Sequence, residues 1–212
     1  MNTIFSPNVL ATKLSKKIVT ENPSLLKNND EIRYGLEWTF SGINQLLCVL
    51  IFAFPLQVLP EATITLIAGA VLRMFSGGSH FKNYYLCLIF STFQILFVAI
   101  ICKYYPEFIT GKLPLILIFL IISFIIIAVR APVLQKKKHL FDKRSKILQK
   151  IYSIVIFIIL ISVSLLLPPP LMFSIWVAIV IQSLTLTSIW ENCIYLTNIF
   201  LYNNRKGERK HD

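Results

Sequence analysis

The chain has no CxxC pair. Its four cysteines, Cys48, Cys87, Cys102 and Cys193, form no spaced set, which argues against both a disulfide framework and a zinc site. Internal repeats and low-complexity linkers are absent too, so a single membrane domain is expected. No cleavable signal peptide is expected either: residues 1–35 carry five Lys/Arg, and their apolar residues are scattered rather than blocked. Charge is scarce, at 15% of residues, while 56% are hydrophobic. A mean hydropathy of +0.70 is too apolar for a soluble domain. The apolar residues come in blocks, the pattern of a polytopic, all-α integral membrane protein.

Residues 1–37 read as an N-terminal arm. Leu10, Leu14 and Ile18 recur at helical spacing, with Lys13, Lys16 and Lys17 turned away, as in an amphipathic helix on an anionic lipid surface. A loosely ordered basic arm is the alternative. Pro23 breaks the pattern, and Asn29 and Asp30 can cap the helix that leads into the first span.

Six spans are expected, at 38–57, at 62–72 with extensions, at 84–102, at 113–129, at 151–167 and at 171–190, with a tail at 191–212. The second is short. Ala62 to Leu72 is eleven residues, about 16 Å at ~1.5 Å per residue, against a bilayer core of about 30 Å. It must recruit Pro60 and Glu61 at one end and residues 73–76 at the other, or leave one end recessed. Of the 21 Lys/Arg, 19 fall in the arm, the 73–83 loop, the 130–150 segment and the tail; only Lys103 and Lys112 fall opposite. Positive charge marks the cytoplasm, so both termini and the 73–83 loop are expected there. The basic run Lys136–Lys138 with Lys143, Arg144 and Lys146 reads as a topology determinant that can also meet anionic lipid or an acidic peptide.

The stretch from Arg73 to Cys87 carries the chemistry. It holds Arg73, the Gly77-Gly78 pair, His80 and, seven residues later, Cys87. A histidine and a cysteine brought together suffice for thiol nucleophilic catalysis: the imidazole holds the thiol proton and the thiolate attacks. Each residue also has a plainer reading. A lone cysteine in a membrane helix packs, a boundary histidine hydrates itself, and a glycine pair makes a turn. Cys48, Cys102 and Cys193 take the packing reading. Glu37 and Arg73 sit at matching depth at the ends of spans one and two and are expected to pair.

The pattern Arg73-x-x-x-Gly77-Gly78-x-His80-x-x-x-x-x-x-Cys87 resembles the accessory gene regulator B family, membrane cysteine endopeptidases of Gram-positive quorum sensing. The motif covers fifteen residues, and the likeness in length, span pattern and basic loops extends over most of the chain. Glu37 matches the family's acidic residue ahead of the motif, while Ser79 and Phe81 stand at variable positions. The resemblance implies a short precursor peptide as substrate, with an amphipathic leader, a central Cys or Ser, and an acidic C-terminal tail. Cys87 would attack the bond before that tail with His80 as base. The resulting acyl-thioester would then close to a thiolactone or lactone signal. Residues 38–190 would form the transmembrane peptidase domain in the bacterial cell membrane. No cofactor, metal or nucleic acid is implied, and a homodimer stays open. The rival readings are a non-enzymatic peptide exporter, with Asn44, Gln45 and Gln182 along a path, and a small structural membrane subunit.

Spacing adds one geometric expectation. On one straight helix His80 and Cys87 would share a face but stand about 10.5 Å apart along the axis. A His–Cys hydrogen bond needs roughly 3–3.5 Å. Span three should therefore begin after His80, near Lys82 to Tyr84. Gly77 or Gly78 should take a positive φ to fold the loop back. Cys87 would then fall in the first turn or two of the helix, where free N–H groups and the dipole suit an anion.

Overall fold

A computed structural model describes residues 6–79, 81, 83–133 and 143–208, with side chains for all of these except 143 and 200–208. The described residues form nine α-helices and one 3-10 turn. The chain divides into two compact units, Met1–Ile51 and Phe52–Asp212.

In the first unit, α1 (Pro7–Glu21) starts with proline at its first position, where the missing N–H costs no bond, and stops before Pro23. The residues enclosed within the protein are not the three expected to meet a lipid surface. Pro7, Ala11 and Ser15 are buried, Leu10 and Ile18 are half-buried, and Leu14 is exposed. Small side chains permit close approach, so they take the enclosed side and the large Leu14 is left outward. After the turn Pro23–Asn28, α2 (Asn29–Ala53) opens with Asp30 and Glu31 in its first turn, where acids favour the helix dipole. It ends four residues before the expected limit of span one. Pro55 cannot continue a helix and restricts Phe54. The chain instead turns through Phe54–Gln57, with Gln57 at φ 56°.

The second unit is a helical bundle. The short second span does extend at both ends: α3 (Leu59–Ser76) takes in Pro60, Glu61 and residues 73–76, giving 18 residues, or about 27 Å. Then come α4 (Tyr84–Tyr104), a short α5 (Pro106–Thr110), α6 (Leu113–Arg130) and α7 (Lys143–Ser164). Helix α7 begins well before the expected 151, so Lys143, Arg144, Lys146 and Lys150 belong to a helix rather than a loop.

Helix α8 (Pro169–Leu184) is the centre of the bundle. It packs most on α3, then on α6, α4 and α7. Phe173, Ile175, Trp176, Ala178 and Ile179 are buried around much of its circumference, as in a helix enclosed by others. Polar pairs add interhelical bonds. The Trp176 indole N–H donates to Ser164 Oγ at 2.8 Å, and the Ser183 hydroxyl donates to Ser123 Oγ at 2.9 Å.

Span six is not one straight helix to 190. It breaks at Thr185–Thr187, and α9 (Ser188–Glu208) leaves at 72°. The local sequence encodes the break. The Thr185 hydroxyl donates to Gln182 O and the Thr187 hydroxyl to Leu184 O, both at 2.7 Å, while Thr187 Oγ1 accepts from the Trp190 N–H at 3.3 Å. These side chains satisfy carbonyls and an amide that a continued helix would have paired. Among the described residues, five helices are long and apolar enough to cross a membrane, or six if the bent pair is one span. The chain is a multi-pass membrane protein.

Candidate active site

Successive helices of the bundle run up and down. The C-terminal ends of α3, α6 and α8 and the start of α4 therefore collect at one end, where the Gly77-Gly78 turn lies. Gly77 ends α3 at φ 70°, its N–H on Arg73 O at 2.9 Å, and Gly78 follows at φ 138°. Both values are strained for any side chain. Just past α6, Val133 runs parallel to this turn. Its N–H donates to Ser76 O at 2.9 Å, and its carbonyl accepts from the Gly78 N–H at 3.1 Å. The last carbonyls of a helix have no partner within it, and Val133 supplies one. The approach leaves no room: a Cβ on Gly77 would lie 2.2 Å from Val133 O.

The end of α8 closes the other side. Gln182 is 5% exposed, and its side-chain amide donates to Gly77 O at 2.8 Å and to Ser76 Oγ at 3.2 Å. Thr185 O, left open by the break in the helix, accepts from the Ser79 N–H at 3.1 Å. A Cβ on Gly78 would meet Thr185 Oγ1 at 2.6 Å. Arg73 Nη2 approaches Ser79 O at 3.5 Å from the last turn of α3. Arg130, ending α6, donates from Nη1 to Ser188 Oγ at 2.6 Å and ties α6 to the start of α9.

Helix α4 starts at Tyr84, inside the window expected from the sequence. Asn83 caps it, its side-chain oxygen accepting from the N–H groups of Tyr85 at 3.0 Å and Leu86 at 3.4 Å. Cys87 is the fourth helical residue and half-buried; its N–H bonds Asn83 O at 3.1 Å. A file of rings fixes the approach to this helix: Phe81 packs edge-on to Phe90 at 5.5 Å, and Phe90 on Trp190 of α9 at 5.8 Å.

The turn thus brings together Arg73, Gly77 and Gly78, with Cys87 in the first turn of the following helix. His80 lies outside the described residues, as do Lys136–Lys138. Glu37 is held in the first unit, accepting from the Asn8 side-chain amide at 3.4 Å, with Arg33 Nη1 at 4.0 Å. Cys102 is fully buried in the apolar core. Sequence reasoning missed Ser76, Val133 and Thr185 as parts of this assembly, and placed Gln182 only as a polar residue along a path. The available signals were Pro132 just past α6 and the Thr185-Leu186-Thr187-Ser188 run that breaks an apolar helix.

The chain is 25% identical over 183 residues to the accessory gene regulator protein B of Staphylococcus intermedius, covering 86% of this chain and 92% of the relative. It is 25% identical over 161 residues to the protein of that name in Staphylococcus aureus (strain Newman), 76% of this chain and 82% of the relative. An AgrB-like protein of Clostridium beijerinckii is 26% identical over 146 residues, 68% of this chain and 72% of the relative. No solved structure matches. The family model for accessory gene regulator B matches residues 9–186, from α1 through the whole of α8 and the Thr185 contact. A match across both units and every helix that meets the Gly77-Gly78 turn leaves one conclusion: the chain belongs to the accessory gene regulator B family.

Proposed function

We propose that this protein is a membrane cysteine endopeptidase that trims a precursor peptide and passes it on as a reactive thioester. The observation that carries the reading is Cys87: half-buried, in the first turn of a capped helix, directly after a turn whose backbone three helix ends hold in place. The dipole at a helix start favours negative charge, here that of a thiolate. His80, four residues ahead of Tyr84, takes the thiol proton. The thiolate adds to the carbonyl carbon of the scissile bond. The C–N bond then breaks, and the departing amine takes the proton back from His80. A Cys or Ser side chain of the retained peptide attacks the thioester, its proton passes through His80, and the C–S bond to Cys87 breaks to free a cyclic product. Exchange of one thioester for another is close to thermoneutral, whereas hydrolysis would lose that reactivity. A site that limits water favours the ring.

The cytoplasmic side is proposed for this end of the bundle because 19 of 21 Lys/Arg lie in segments assigned to it. An acidic peptide tail suits that charge. The exporter reading loses one of its residues: Gln182, which it would set along a path, is engaged by Ser76 and Gly77.

The test is mass spectrometry of the full protein in lipid nanodiscs after mixing with a candidate precursor. A covalent peptide adduct on Cys87 is expected, lost in Cys87→Ala. Cys87→Ser should also fail to cleave, since an alkoxide is far harder to form than a thiolate. Insertion should be unaffected in both, because the side-chain change is small. Cleavage retained by either variant removes Cys87 as the nucleophile.

A further inference from the structure

Gln182 lies 105 residues from Gly77 in the chain and on a different helix, yet both donors of its amide group are spent on the turn at 76–77. In a low-dielectric interior an unpaired carbonyl at a helix end is costly, and Ser76 and Gln182 are both buried. A packing residue would leave Gly77 O only the longer bond from the Ser76 hydroxyl, at 3.3 Å. The neighbouring contacts act on the same few atoms. Val133 O takes the Gly78 N–H and Thr185 O takes the Ser79 N–H. Thr185 O is open only because α8 stops there; in an unbroken helix the amide of residue 189 would occupy it.

We propose that Gln182 is a positioning residue for the thiol chemistry, latching the Ser76–Ser79 turn between the ends of α6 and α8. The latch fixes where the chain leading to His80 departs from α3. This rests on the Cys87–His80 reading above. The partners of the Gln182 amide are Gly77 O and Ser76 Oγ. Its role is to donate two hydrogen bonds, so a replacement that can donate only when protonated should convert the latch into a pH-dependent one. Glutamate is that replacement: its carboxylate only accepts and would repel Gly77 O, while its protonated form has one O–H to give.

The experiment uses the full-length protein in lipid nanodiscs and a synthetic precursor. Single-turnover cleavage, KM and amide hydrogen exchange at Gly78 and Ser79 are measured across pH. Gln182→Leu should slow single-turnover cleavage by about ten-fold or more while KM stays within about two-fold, because positioning acts on the chemical step. Exchange at both amides should accelerate. Burial and the facing Gly77 carbonyl raise the pKa of a carboxyl placed here, so Gln182→Glu should match Gln182→Leu only above that pKa, and its rate relative to wild type should climb about ten-fold as pH falls through it. A Glu-to-wild-type ratio that stays flat with pH, or unchanged exchange at Gly78 and Ser79, overturns the latch. Should Gln182→Leu not fold, the pH dependence of Gln182→Glu decides alone. If Cys87→Ala still cleaves, the nucleophile is wrong, while the exchange measurements still decide the latch by themselves.

Discussion

Alanine at Gly77 and alanine at Gly78 should differ in whether they can be rescued. Both positions have positive φ, and a side chain there costs about 1–3 kcal/mol in backbone strain. At Gly77 the new Cβ would sit 2.2 Å from Val133 O, more than an ångström inside ordinary contact. That oxygen is backbone and cannot rotate away. Relief means separating the two segments, which breaks the Val133 N–H to Ser76 O and Gly78 N–H to Val133 O bonds. At about 0.5–1.5 kcal/mol net for each bond, the total against the docked turn is about 2–6 kcal/mol. That shifts the docked equilibrium by a factor of about 30 to about 20,000, at ~1.4 kcal/mol per decade. At Gly78 the obstacle is Thr185 Oγ1 at 2.6 Å, with Thr185 Cβ at 3.4 Å behind it. Gly78→Ala with Thr185→Ala removes that oxygen and leaves ordinary contact. Strain and the lost Thr185 hydroxyl bond to Gln182 O remain, so the rescue is partial. Amide exchange at Gly78 and Ser79, with precursor cleavage beside it, reads both cases. Gly77→Ala should lose protection and cleavage, and Gly78→Ala/Thr185→Ala should outperform Gly78→Ala. Wild-type exchange in Gly77→Ala, or no gain from the double substitution, refutes the docking geometry as the reason for the glycine pair.

Orientation is open to impermeant thiol labelling from outside the cell. Glu107→Cys in α5 should be modified and Lys137→Cys spared, whereas external labelling of Lys137→Cys would reverse the assigned sides. Asn83→Ala removes an N-cap that accepts two N–H groups and should cost the start of α4 about 0.5–2 kcal/mol. Cleavage should fall, and exchange at Tyr85 and Leu86 should speed up. Asn83→Asp should retain most of both, and an alanine variant with unchanged exchange would show that the cap does not hold this turn.

Composition and periodicity determined the helical membrane class; the reach of His80 toward Cys87 gave a start of α4 between Lys82 and Tyr84 and a positive φ at Gly77 or Gly78, and the short apolar run left extension of α3 as one of two options. These depend on local quantities: apolar length against bilayer thickness, proline's missing N–H, and the reach of an imidazole along a helix. Tertiary structure decided what the pair is for. Gly77 meets Val133, and Gly78 meets Thr185, because three helix ends converge there and each leaves backbone groups that the others satisfy. No periodicity encodes that convergence, since it depends on how α3, α6 and α8 pack. In α1 the small residues Pro7, Ala11 and Ser15 are buried, which the apolar spacing of Leu10, Leu14 and Ile18 did not indicate. The bend after α8 lies between the two. Thr185 and Thr187 are visible in the sequence as residues that compete for backbone bonds, but only packing decides whether a membrane helix yields to them.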